Sequence, residues 1–176
     1  MSINERLLQT LMSKNPDISF AMEESFPLKS TYSGAAPLGP LMELRAQDGQ
    51  NALTAERAAQ SLDYWRATTQ QLLADPEAAG SQDTRNAYGK LAMAQGNLYA
   101  ENRFSAEAEE AFRLARQISP DSSEALIGLA KVMAQTGRVE EARRSLDDFA
   151  RDYPQERTAI EKSWNAIVSA ASAQPQ

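Results

Sequence analysis

Apolar residues recur at spacings of three and four along most of this chain, and the pattern is interrupted at only a few places. Ile3, Leu7, Leu8 and Leu11 line one face of a helix over residues 3–13, which Asn15-Pro16-Asp17 ends. From Ile18 to Leu44 the character changes. Phe20-Ala21-Met22 and Leu41-Met42-Glu43-Leu44 read as short strands, separated by Pro27, Pro37, Gly39 and Pro40, a composition no helix tolerates. They predict a small two-stranded pairing, which is marginal alone and needs a helix to cover it. Gln47-Asp48-Gly49-Gln50-Asn51 reads as a turn. Thr54 then caps a helix whose buried stripe is Ala58, Leu62, Trp65, Thr69, Leu72 and Leu73, with Arg57 where a capping box prefers Glu. Asp75-Pro76 ends it, and Ala78-Ala79-Gly80-Ser81 reads as a loop. The next helix starts near Asp83 or Thr84 and carries Tyr88 and Leu91.

Beyond that point the chain repeats itself with a period of 34 residues. The first copy reads Ala92-x2-Gln95-Gly96-x2-Tyr99, then Ala108-x3-Phe112-x2-Ala115-x4-Pro120. The second reads Leu126-x2-Leu129-Ala130-x2-Met133, then Ala142-x3-Leu146-x2-Phe149-x4-Pro154. Small residues let two helix backbones approach, so Gly96, Ala108, Ala130 and Ala142 mark the crossings, and the larger residues, with Leu114 and Ile118, fill the space between. Pro120 and Pro154 each follow a helix they cannot continue. Asp121 or Ser122 caps the helix that follows, and Gly137 suits the left-handed end of another. The expected pairs are 84–102 with 105–118, and 123–136 with 139–152.

This period and order of large, small and Pro positions resembles the tetratricopeptide repeat, a helix–turn–helix unit. The resemblance implies an all-α, helical-hairpin array: residues 1–80 holding an N-terminal helix, an extended segment with a short β-hairpin and a packing helix; two repeats within 81–154, at about 89–122 and 123–156; a capping helix at 155–171; and a disordered tail at 172–176. The first copy departs from the pattern where Ala92 and Gln95 replace the usual Trp and Leu, so another element is expected to pack there. Two repeats are fewer than a stable array needs. The helix at 54–75 and the last helix, with Ile160, Trp164, Ile167 and Val168 as its apolar stripe, therefore close the two ends. Trp164 is expected to be buried against Leu146 and Phe149 as a cap; exposed, it would be a binding residue.

A second resemblance concerns residues 15–70. Phe20-Ala21-Met22-Glu23-Glu24-Ser25-Phe26-Pro27, with Tyr32, Pro37, Gly39-Pro40-Leu41-Met42 and Tyr64-Trp65, looks like a segment near the C-terminus of bacterial multi-spanning membrane proteins similar to glycosyltransferases of the protein O-mannosyltransferase type. It implies an extracytoplasmic end piece, with the transferase chemistry upstream.

Composition narrows the chemistry. The 176 residues carry a net charge of −6 and no Lys/Arg cluster, which disfavours a nucleic-acid or anionic-lipid surface. No apolar run approaches the length of a membrane span, and the N-terminal residues, interrupted by Glu5, Arg6 and Gln9, do not read as a signal peptide. There is no cysteine and no histidine. Disulfides, Cys/His zinc sites, cysteine or Ser–His nucleophiles and imidazole bases are thereby excluded. The lack of cysteine fits either side of a bacterial inner membrane and does not locate the protein. No catalytic constellation, metal site or cofactor is expected.

The paired acids Glu109-Glu110, Glu140-Glu141 and Asp147-Asp148 point about 100° apart on their helices and read as solvated faces. Glu23-Glu24 would face opposite sides of a strand. Tyr64, off the buried stripe, is either covered by the N-terminal lobe or exposed for a partner. The groove that stacked repeats form is the better site. By the resemblance it is lined by Lys90, Met93, Asn97 and Glu101, then Glu124, Ile127, Lys131 and Gln135, with Lys90, Asn97 and Lys131 placed to grip a carboxylate. The opposing reading is a solvated surface of mixed charge. Ala94 and Gly128 stand where two-carboxylate clamps use polar or basic groups, so that clamp is not expected. The function this implies is protein–protein interaction or scaffolding, with a protein or peptide partner. The alternative is an accessory domain of a membrane glycosyltransferase, and a free-standing enzyme is disfavoured.

Overall fold

The computed structural model of the chain describes residues 3–23, 34–44 and 53–172. The expected turn at 47–51, the positions Glu24, Pro27 and Tyr32, and the tail from 173 lie outside these residues.

The helices are α1 (Ile3–Lys14), α2 (Ala55–Ala74), α3 (Pro76–Gly80), α4 (Gln82–Glu101), α5 (Ser105–Ile118), α6 (Ser123–Gln135), α7 (Val139–Asp152) and α8 (Arg157–Ser172); the strands are β1 (Phe20–Met22), β2 (Ala35–Leu38) and β3 (Leu41–Leu44). The two expected hairpins are α4–α5 and α6–α7, and their boundaries fall within two residues of those read from the sequence. The expected loop at 78–81 is instead part of a one-turn helix. Asp75 ends α2 and caps α3, its Oδ1 accepting from the N–H groups of Glu77 and Ala78, with Pro76 at the first helical position.

Side-chain caps start α2, α4 and α6. Thr54 accepts from the Arg57 N–H at 3.2 Å, Ser81 from Thr84 at 3.2 Å and Ser122 from Ala125 at 3.2 Å. Asp121 takes another role. Its carboxylate accepts from Ser119 Oγ at 2.9 Å and Gln82 Nε2 at 3.1 Å, tying the α5–α6 turn to the start of α4.

The turns inside the two hairpins are equivalent. Gly137 ends α6 with φ +85°, and Arg103, 34 positions earlier, adopts φ +65°. The bonds match as well: Phe104 N–H to Tyr99 O and Arg138 N–H to Met133 O, each at 2.9 Å. This is the six-residue closure of a left-handed C-terminal cap. Position 103 adopts the conformation without glycine, at the steric cost that a Cβ imposes there.

The main core joins α2, α4, α5, α6, α7 and α8. Phe112 sits at its centre, 1% exposed. A Cβ on Gly96 of α4 would lie 2.8 Å from the Phe112 ring, and one on Gly128 of α6 would lie 2.4 Å from it. The ring is therefore clamped between two glycines on consecutive first helices, and Gly128 belongs to a crossing rather than to a groove. The α2 stripe is buried as read, with Ser61 added and Leu73 left 44% exposed.

A second, smaller core lies under the sheet. β3 is its central strand, antiparallel to both neighbours, with Phe20 and Ala35 opposite Leu44 and Met22 and Pro37 opposite Met42. The pairing of β1 with β3 was expected; β2 was not, because Pro37 argues against a strand. An edge position accommodates it. Gly39, with φ +57°, opens the tight turn into β3. Ala35, Met42 and Leu44 pack on Ala94 and Leu98 of α4, while Leu8 and Met12 of α1 add to the same cluster. The α1 face thus turns by one position from the expected stripe: Leu7 and Leu11 are exposed.

Candidate functional site

The outer faces of α5 and α7 carry ion pairs between helices. Arg66 of α2 grips Glu110 of α5 with two bonds of 2.5 and 2.7 Å. Arg138, at the start of α7, grips Glu109 of α5, which also accepts from Arg113 at 2.7 Å. The Arg138 bonds are the main reason the Glu109 carboxyl titrates at about 2. Arg143 of α7 grips Glu161 of α8 at 2.7 and 3.0 Å. Glu109 and Glu110 are thus inter-helix anchors and not simply solvated acids. Sequence reasoning missed them because their partners lie 29 and 44 positions away.

The other side belongs to α4, α6 and α8. These are packed in that order, α6 touching both neighbours. Lys90, Met93, Asn97 and Glu101 lie three or four apart along α4, and Glu124, Ile127, Lys131 and Gln135 do so along α6. Lys90, Glu101, Glu124, Lys131 and Gln135 are exposed, and Met93, Asn97 and Ile127 are half-buried. Ala94, read as a groove position, is instead 2% exposed, under the sheet.

Four of the eight residues line one or other of two clefts. Lys90 faces the first, which is lined also by Glu23, Asp83, Asn86, Ala87 and Leu91 and is mixed in charge. Ile127, Lys131 and Gln135 line the second, of about 420 Å³, where Ala134 joins them from α6 and Ser163, Ala166, Ile167 and Ala170 close the opposite wall from α8. Met93, Asn97, Glu101 and Glu124 line neither. The α8 contribution was missed. The signal was present: Ile160 and Ile167 stand 34 positions after Leu126 and Met133, so α8 continues the register as the first helix of a third unit. Ile160 and Ile167 are buried accordingly.

Trp164, 34 positions after Ala130, falls where the repeat has a small residue. It is half-buried against the main core, rather than largely buried as expected, and the Arg143 guanidinium lies 5.6 Å from its ring centre. Val168, the last member of the expected α8 stripe, is 39% exposed. Tyr64 is 38% exposed and edge-on to Trp65, with its ring tip beside Gly39, so the lobe covers it in part.

Among the described residues no group of His, Cys, Asp or Glu is placed to hold a metal ion, and no helix is long and apolar enough to cross a membrane. Comparison with curated proteins and with solved structures gives no match, and nothing found supports the resemblance to membrane glycosyltransferases. Residues 98–161, from within α4 to the first turn of α8, match the tetratricopeptide repeat family model. With two equivalent hairpins, a third first-helix and a shared 34-residue register, this chain carries a tetratricopeptide repeat region, an architecture of protein–protein interaction and scaffolding.

Proposed function

We propose that this protein binds a peptide or an exposed segment of a partner protein along the face formed by α4, α6 and α8. The observation that carries the reading is the division of labour between the two faces. Glu109 and Glu110 of α5 and Arg143 of α7 are engaged in ion pairs that hold neighbouring helices. The α4 and α6 stripes leave Lys90 and Lys131 without an ion pair among the described residues, beside the half-buried apolar groups Met93 and Ile127. Cations without an ion pair among the described residues, next to partly sheltered apolar surface, suit an occupant with carboxylates and apolar side chains.

A peptide array followed by amide chemical-shift mapping tests this. Ligands taken from the array should perturb α4, α6 and α8 while leaving the outer faces of α5 and α7 unchanged. Perturbations confined to α2, α5 and α7 would reject the groove.

A further inference from the structure

We infer that the cleft between α6 and α8 receives a partner segment that carries large apolar side chains beside a single carboxylate. This rests on the groove reading and narrows it to one part of the face and one ligand chemistry.

The walls set the apolar requirement. Ala134, Ala166 and Ala170 leave space above Ile127 and Ile167, so large side chains must come from the occupant. At about 420 Å³ the cleft falls in the lower part of the range for ligand sites. It admits a few side chains, not the surface of a folded domain.

The charge requirement comes from Lys131. Among the described residues it is the one charged residue lining this cleft, and no carboxylate pairs with it. Lys90 differs, since Glu23 and Asp83 line its cleft and supply negative charge from within the chain. In a protein of net charge −6, an ammonium group at the rim of an apolar cleft lacks a complement that a ligand can bring. One ammonium beside the neutral donors Gln135 and Ser163, with no second cation among the described lining residues, matches a single carboxylate rather than a doubly charged phosphate, which clusters of cations hold.

The test pans a random peptide library on phage against the full chain and measures the selected synthetic peptides on wild type, Lys131→Glu, Ala166→Trp and Lys90→Glu. The selected peptides should pair Asp or Glu with large apolar residues. Their Kd should rise about tenfold in Lys131→Glu and in Ala166→Trp, which fills the cleft, and by less than either in Lys90→Glu. Lys131 is exposed and away from the core, so Lys131→Glu carries the test alone if Ala166→Trp lowers the melting temperature. Selection of basic peptides overturns the inference, as does binding lost in Lys90→Glu but kept in Lys131→Glu; in both cases the wider groove reading stands. A wild-type dimer that Ala166→Trp dissociates assigns the cleft to a second copy and also overturns it. Absence of any selected peptide, or binding indifferent to all three variants, overturns both readings.

Discussion

The side-chain amide of Gln95 donates to the backbone carbonyl of Leu41 at 3.0 Å, and this bond joins the β-sheet to the first helix of the repeats. Gln95 is fully buried, at a position where the repeat normally has an apolar residue. The departure from the pattern therefore marks where a second structural unit is attached. Ala92, the other departure, is buried in the main core, which includes α2.

Gln95→Leu should restore the repeat pattern and detach the sheet. The Leu41 carbonyl would lose its amide donor, at a cost of about 1–3 kcal/mol where the group stays buried. The expected outcome is faster hydrogen exchange in β1, β2 and β3, with α5, α6 and α7 protected as before. Equal protection of the sheet in the variant would show that the apolar contacts of Met42 and Leu44 on Ala94 and Leu98 hold it unaided.

Gly128→Ala should destabilise the protein more than its single added methyl group suggests. The new Cβ would meet Phe112 at 2.4 Å, and the same ring edge also packs closely on Gly96, where an added Cβ would lie 2.8 Å away, so the ring has little room to shift. Overpacking of this kind costs about 1–3 kcal/mol. Ala130→Leu, at a fully buried position of α6, should cost a similar amount. Both are read from thermal or denaturant unfolding, and Gly128→Ala paired with Phe112→Leu should recover part of the loss, since the smaller residue frees the space. Failure of that rescue would place the strain elsewhere than the Gly–Phe contact.

The residues legible in the sequence were those whose role is local or periodic. The 34-residue register marks both hairpins, Ser122, Pro120 and Gly137 mark ends within them and Thr54 marks the start of α2, because caps and breakers act through neighbours a few positions away. What the sequence concealed depends on tertiary context. Pro37 lies in a strand because that strand has a free edge. Leu8 and Met12, rather than Leu7 and Leu11, are partly buried because the sheet lies on that side. Arg66 and Glu110 carry no sign of each other across 44 positions. Repeat position alone marks the groove residues, so it omits the wall that α8 adds and groups Lys90 with Lys131, although they face different clefts. Gln95 was legible in part: its mismatch announced a packing partner but not which one.

Acid should weaken the contact between the two hairpins. The Glu109 carboxyl is lowered from 4.5 to about 2, first by its hydrogen bonds from Arg138 and then, with burial opposing, by Arg113. A carboxylate with a depressed folded-state pKa contributes stability that is complete above the unfolded value and is lost as pH falls through the folded one. The contribution of Glu109 is thus present above about pH 5 and declines from there towards pH 2. Unfolding curves for wild type and Glu109→Gln should differ most near neutrality and converge towards pH 2. A difference independent of pH would mean that Glu109 acts by packing and not by charge.

Trp164→Ala should be destabilising, and by less than a fully buried tryptophan would cost. Core Trp→Ala changes cost about 3–5 kcal/mol, but Trp164 is only half-buried, so about 2 kcal/mol is expected. Part of that is the Arg143 guanidinium, 5.6 Å from the ring centre, a contact of about 0.5–1 kcal/mol at an exposed site. Arg143 is held in place by Glu161 and Asp147 as well, so the ring and the ion pairs brace the same junction of α7 with α8. Arg143→Ala and Trp164→Ala should therefore be coupled, the double variant losing less than the sum of the singles. The measurement is a double-mutant cycle by chemical denaturation. Strict additivity would separate Trp164 from the ion-pair junction and leave its exposed face free to act as a contact surface.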